Sequence, residues 1–271
     1  FQRFLVTDDD LWKYDGPDIS LAEYFRKFGK DAEADFYKIR EISGIEAADP
    51  ERLSVRSIIH EDRLATNGGK NFWIMDGYDT IMKGYALGLD VRLKHRVFRI
   101  RWSKGKVEVE CDNGALLSAS QLVITIPIGV MKKCPPEFLP RLPDSFEQSV
   151  RTIGFGNVSK IILWLQGTVP DFIFLATPGP VGHWWQRRFG EEIVLVGFAG
   201  GPLADALTRM TEKEAVQAGI DDLADGLGNA VRHMVVHGRH YAWGNDEFSY
   251  GSYSFPTVGM SDTRDVLQTP I

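Results

Sequence analysis

Apolar residues recur at helical spacing from Ser20 to about Ile45: Leu21, Tyr24, Phe25 and Phe28, then Phe36 and Ile39 beyond an interrupting Gly29. Ser20 with Glu23 three residues on reads as a capping box, because the serine oxygen can accept an N–H that the first helical turn leaves unpaired. Asp49-Pro50 is expected to open a short helix carrying Leu53, Val55, Ile58 and Ile59, and Thr66–Lys70 to form a turn. Thr80 to Leu87 reads as one helix ended by Gly88. Three short β-rich runs follow, Val91–Leu93, Val97–Trp102 and Val107–Cys111, with turns at Ser103–Lys106 and Asp112-Asn113-Gly114. Leu122–Ile126 is continuously apolar, the pattern of a strand buried on both faces, and Pro127 closes it.

Pro135-Pro136 and Pro140 to Pro143 punctuate the chain and mark a candidate domain boundary. Beyond it come a helix at Ser145–Thr152 and strands at Ser159–Leu165, Phe172–Ala176, His183–Trp185 and Ile193–Ala199. Leu203–Thr208 and Glu212–Val236 read as helices, the second capped by Thr211. Tyr241–Trp243 and Ser252–Phe255 read as extended. The fold class these patterns predict is α/β to α+β, a mixed sheet flanked by helices.

Composition narrows the class. The 271 residues are 44% hydrophobic and 25% charged, near a globular average, which excludes disorder, collagen and coiled coil as the main character. Lys and Arg total 31 against 37 Asp and Glu, and a net charge of −6 argues against nucleic acid as a partner. No window approaches the ~20 continuous apolar residues of a membrane span. Two cysteines, Cys111 and Cys134, are too few for a disulfide framework or a Cys-rich metal site. They are expected to be reduced thiols, which favours a cytoplasmic setting. The sequence opens on Phe1, and the expectation is that it is part of something longer.

Several motifs carry no chemistry on inspection. Gly154–Lys160 lacks the Gly-Lys-Ser/Thr core of a phosphate loop and leads into a strand. Gly197–Gly201 fits no GxGxxG spacing. His233 and His237 stand four apart on the expected helix but lack the HExxH glutamate and a third ligand, so no metal site is expected. Two features resist dismissal. Lys160 opens a strand otherwise built for burial, where a charge is costly unless paired or functional. Trp243, Phe248, Tyr250, Tyr253 and Phe255 crowd around Gly251-Ser252, either as core or as a stacking wall for a planar ligand.

Four segments in order resemble a family. Asp76-Gly77-Tyr78 with its helix, Gly88–Leu93 and Val97 come first, and Thr125-Ile126-Pro127-Ile128-Gly129-Val130-Met131-Lys132 second. Ile153–Ile161, which includes Lys160, is the third, and Trp243 followed by Gly251-Ser252-Tyr253-Ser254 the fourth. Along roughly Trp73–Ser254 the chain is similar to the flavin-dependent amine oxidases: monoamine oxidases, polyamine oxidases and lysine-specific histone demethylases. The resemblance implies flavin-dependent oxidation of an amine C–N bond to an imine, with molecular oxygen re-oxidising FAD to give peroxide. It implies a Rossmann-like FAD domain, present as an interior segment at 72–130 with a return toward it at 249–271. A substrate domain is expected at 131–248, with a helical part at 1–71.

The same resemblance assigns roles. Lys160 corresponds to a lysine that holds a water near the flavin N5 atom. Tyr253 and Trp243 correspond to aromatic residues at the flavin ring, where the amine enters, and Phe248 is grouped with them. Val97 corresponds to a backbone contact at the adenine end, and Thr125 and Pro127 to a strand end beside the cofactor. Ser252 stands where the monoamine oxidase branch carries a flavin-linked cysteine, so FAD is expected to be non-covalent. The family's GxGxxG loop and its final acidic-glycine motif are not in this sequence. A central fragment is therefore expected, inactive alone; without the phosphate loop, these 271 residues either hold FAD by other means or lack it. The alternatives are a non-catalytic module on a degenerate oxidase scaffold, or a related flavoprotein such as an amino-acid oxidase or desaturase. Arg187-Arg188 would then be the pair to clamp a carboxylate.

Overall fold

The computed structural model describes residues 9–64, 74, 76–260 and 263–271; the expected turn at Thr66–Lys70 and the residue Trp73 lie outside them. In chain order the elements are α1 (Asp9–Trp12), α2 (Leu21–Phe28), α3 (Ala32–Ile45), α4 (Val55–Leu64), α5 (Tyr78–Tyr85), β1 (Val97–Ser103), β2 (Lys106–Cys111) and β3 (Leu116–Ala119). Then follow α6 (Ile128–Lys133), β4 (Glu137–Leu139), α7 (Asp144–Thr152), β5 (Gly154–Phe155), β6 (Val158–Leu165), β7 (Phe174–Ala176), β8 (His183–Phe189) and β9 (Glu192–Gly200). The last are α8 (Pro202–Thr208), α9 (Glu212–Leu227), α10 (Val231–Met234), β10 (Val235–Ala242), a 3₁₀ turn (Trp243–Asn245), β11 (Ser254–Phe255) and α11 (Thr263–Gln268). The fold is of the α/β to α+β class, with mixed and antiparallel sheets and flanking helices.

The chain forms two units: residues 1–59, 126–134 and 144–271, and residues 60–125 and 135–143. In the first, β10-β6-β9-β8-β7 make an antiparallel five-stranded sheet. Ile161, Leu163 and Leu165 of β6, Leu195 of β9 and Trp184 of β8 point to one face and are buried with Leu207 of α8 and Leu223 of α9. Full burial of such a side chain is worth about 1.5–3 kcal/mol, so this face holds the helices to the sheet. A second core packs Leu21, Tyr24 and Phe25 of α2 with Leu53, Val55 and Phe255. In the other unit β3-β2-β1-β4 form a sheet in which β1 pairs antiparallel with β2 and parallel with β4. The proline-punctuated segment thus contributes a strand of its own.

Several expectations fail for identifiable reasons. Ser20 Oγ accepts the Glu23 N–H at 3.1 Å, but the Glu23 carboxylate turns to Lys27 Nζ at 2.5 Å, so half of the capping box is present. Helix α4 starts at Val55, not at Asp49, because Leu53 and Ser54 are taken up in β-bridges with Thr257 and Ser20. Ser54 Oγ instead accepts the Ser57 N–H at 3.1 Å. Gly228, at φ 92°, ends α9 early, and Val235–Val236 belong to β10 rather than to a helix. Val91–Leu93 is irregular and exposed. Leu122–Ile126 is no buried strand: it is irregular, and Val123 is 84% exposed. An apolar run becomes a strand only when its N–H and C=O groups find a neighbouring ladder, and none of the described residues supplies one there.

Candidate active site

Residues opposite one another in a β-ladder share a face. Lys160 pairs with Tyr241 of β10 and Phe198 of β9, and Phe198 pairs with His183 of β8. The next row joins Arg239, Ile162, Val196, Trp185 and Phe174, and the third His237, Trp164, Val194 and Arg187. This is the face turned away from the α8–α9 core. Its rings contact in series: Phe174 to Trp185 at 5.5 Å, Trp185 to Phe198 at 5.7 Å, Trp164 to His237 at 5.0 Å. Lys160 Nζ stands 5.9 Å from the Phe198 ring centre and, among the described residues, makes no ion pair. A half-buried lysine above an aromatic ring, rather than beside a carboxylate, keeps its N–H groups available.

The Trp243–Tyr253 segment is tied to the strand that carries Lys160. Gly156 donates to the Tyr253 carbonyl at 2.8 Å, Ser252 donates to the Gly156 carbonyl at 2.8 Å, and Gly251 donates to the Trp243 carbonyl at 3.1 Å. Ala242, next to Trp243, pairs with Ser159, next to Lys160. The phenol of Tyr253 donates to the Ile45 carbonyl at 2.5 Å, and burial pushes its pKa up to about 12, with Glu46 adding to the rise. Gly156 has to be glycine, because a Cβ there would run into the Ala47 carbonyl. Gly251, at φ 148°, abuts Phe155 and the Gly156 carbonyl.

Trp243, Ser252 and Tyr253 are therefore held by backbone bonds around Gly156, and the Ala242–Ser159 pair sets this segment beside the strand of Lys160. Phe248 lies on the Asp246–Tyr250 turn with 77% of its surface exposed. Pro127 precedes α6 as its N-cap and is exposed. Val97, the first residue of β1 opposite Cys111, and Thr125, exposed in an irregular stretch, belong to the second unit. His233 and His237 fall on α10 and β10 rather than on one helix. No group of His, Cys, Asp or Glu that could hold a metal occurs among the described residues. Nor is any helix among them long and apolar enough to cross a membrane.

The model of the family described as flavin containing amine oxidoreductase matches residues 3–271. The chain belongs to this family. A polyamine oxidase of Oryza sativa subsp. japonica, polyamine oxidase 3, is 31% identical over 235 residues, which are 83% of this chain and 47% of that protein. The chain spans about half the length of the curated relatives it matches. A solved putrescine oxidase superposes with TM-score 0.78 at 20% identity, covering 97% of this chain and 61% of its own. Cyclohexylamine oxidase from Brevibacterium oxydans gives 0.80 at 18% identity, covering 96% and 62%. These two report a shared fold.

Membership implies a flavin cofactor. The local chemistry around Ser252 fits one: its Oγ is buried and has no hydrogen-bond partner among the described residues. A hydroxyl so placed costs free energy unless a ligand satisfies it.

Arg40, His183 and Asp222 stand in or beside the sheet and belong to none of the sequence motifs. His183 is 2% exposed beneath Gly44 of α3, and its pKa is pushed down to about 4 by burial and by neighbouring Arg40. Asp222 of α9 accepts from Thr177 Oγ1 and Trp184 Nε1, each at 2.6 Å. Arg40 donates to the Gly179 carbonyl at 2.5 Å. The alternation of His183, Trp185 and Arg187 along β8 could have flagged the open face; the Asp222 contacts join distant segments and leave no local pattern. Arg188 is committed to Asp171 through Nε at 3.0 Å and Nη2 at 2.6 Å, so Arg187-Arg188 is not a two-arginine clamp.

Proposed function

We propose that the protein oxidises the C–N bond of an amine to an imine, with FAD bound non-covalently and Lys160 and Tyr253 on the reacting side. The observation that carries this reading is the half-buried Lys160, set above Phe198 on an aromatic sheet face, with Ser252 and Tyr253 bonded through their backbones to Gly156 just before the lysine's strand. Bound FAD would supply the acceptor for the two electrons and the hydrogen lost from the α-carbon, and molecular oxygen, itself reduced to peroxide, would restore it. Loss of two electrons and two protons converts the amine to an imine, which water hydrolyses to a carbonyl compound and free amine.

This chain's own residues bind, orient and exclude water. The Tyr253 ring, fixed through its phenol, and the Trp243 ring supply apolar walls for the carbon that reacts. An amine must be uncharged to be oxidised, so a wall of rings serves it better than a carboxylate at the reacting nitrogen. Lys160 Nζ retains N–H groups to orient a water molecule. Ser252, Val97, Thr125 and Pro127 are assigned to holding the cofactor. Residues 72–130 and 249–271 form the FAD side in this reading, and 1–71 and 131–248 the substrate side.

The test is peroxide release by the protein incubated with FAD and a panel of mono-, di- and polyamines and amino acids. Peroxide is expected with at least one amine and not with the amino acids. No peroxide with any amine, from protein that has taken up FAD, sinks the proposal.

A further inference from the structure

The antiparallel sheet has one face sealed by α8 and α9 and another that carries half-exposed rings. That second face has a consistent charge character. Its three rows hold Lys160, Arg187 and Arg239, and no Asp or Glu. Arg239 is paired at the sheet edge with Glu212 at 2.9 Å. Glu46, the carboxylate felt by the Tyr253 phenol, has a further partner of its own. His183 adds no charge at neutral pH, because burial holds it neutral.

The apolar part of the face is continuous with Lys160. From Phe198, in the lysine's own row, ring contacts run to Trp185 at 5.7 Å and on to Phe174 at 5.5 Å, with Ile162 and Val196 in register beside them. Two residues along a strand advance about 7 Å, so this second row starts within reach of a phenyl or short alkyl group attached to an amine held at Lys160.

We infer that this face receives the tail of the amine and selects an aromatic or aliphatic tail over one bearing a second ammonium. The inference rests on the proposed amine oxidation and adds the substrate class. A distal ammonium would be stripped of water against Phe198, Trp185 and Val196 with no carboxylate in these three rows to receive it, since Glu192 lies beyond Val194, opposite Phe189 at the far end of the strand pair, and it would stand beside the charge of Lys160. A phenyl ring there stacks on Trp185 and replaces water at an apolar surface. Polyamine oxidases are among the relatives, so the inference separates this chain from the substrate those names carry.

Calorimetric titration of the protein with 2-phenylethylamine, putrescine, spermine and 4-aminobutyrate tests it. 2-Phenylethylamine is expected to bind at least tenfold more tightly than putrescine or spermine. Trp185→Ala is expected to remove most of that advantage. Val196→Glu, which sets a carboxylate between Ile162 and Trp185, is expected to raise putrescine affinity about tenfold; circular dichroism confirms that each variant folds. Tighter binding of putrescine or spermine by the unmodified protein overturns the inference and leaves amine recognition standing. Tightest binding of 4-aminobutyrate overturns it in favour of an anionic tail read by Arg187. Binding of none of the four to folded protein overturns both the inference and the reading beneath it.

Discussion

The phenol of Tyr253 donates to the backbone carbonyl of Ile45 at 2.5 Å, across 208 residues of sequence. This bond fixes the ring from its far end, while Gly156 fixes the Tyr253 backbone at 2.8 Å. Tyr253→Phe keeps the ring and loses the bond, and is expected to lower stability by about 1 kcal/mol in urea unfolding. The phenol's pKa is raised to about 12, above its unfolded value of 10.0. Its neutral form is favoured in the fold, so its contribution is fully present below pH 10 and is lost as pH rises toward 12. Ultraviolet titration should show a tyrosine ionising near 12, and Tyr253→Phe should remove that step.

His183 gives the opposite sign at the acid end. Its folded pKa of about 4 lies below the ordinary 6.5, so stability is full above 6.5 and falls as pH drops toward 4. The difference corresponds to roughly 3 kcal/mol at most. Urea midpoints between pH 7 and pH 4 should fall steeply for the unmodified protein and more shallowly for His183→Gln.

Gly44 and His183 are close-packed, and a Cβ on residue 44 would come within 2.8 Å of the imidazole. Gly44→Ala should cost about 1–3 kcal/mol by overpacking. The check is thermal unfolding, with His183→Ala in the same background recovering part of the loss.

Asp222 is 1% exposed, and its Oδ2 accepts from both Thr177 and Trp184. Asp222→Ala leaves a buried hydroxyl and a buried indole N–H without their acceptor, at a cost on the order of 2–5 kcal/mol. Asp222→Asn keeps an acceptor and should cost less. Denaturant unfolding followed by tryptophan fluorescence separates the two.

Much of this was legible in the chain. The apolar strand β6, the Thr211 cap and the interruption at Gly29 were readable because each is set by neighbours within a few residues, although the stretch from Ser20 to about Ile45 is two helices, α2 and α3, rather than one. Lys160 announced itself as a charge inside an apolar run. The extent of β10 was not readable: Val235–Val236 continue the apolar pattern of the helix before them, and pairing with β6 decides them as strand. Leu122–Ile126 misled for the converse reason, since hydrophobicity promises burial but cannot supply the partner strand. The link from Tyr253 to Ile45 and the cover of Gly44 over His183 are tertiary, and no spacing encodes them.

The central claim is tested most directly by mixing flavin-loaded protein with amine in the absence of oxygen and following the flavin absorbance near 450 nm. The account predicts that the band bleaches for the unmodified protein, and that Lys160→Met keeps the band but cycles at least tenfold more slowly once oxygen is admitted. A band that no amine bleaches, or a Lys160→Met variant that turns over at the unmodified rate, would contradict it.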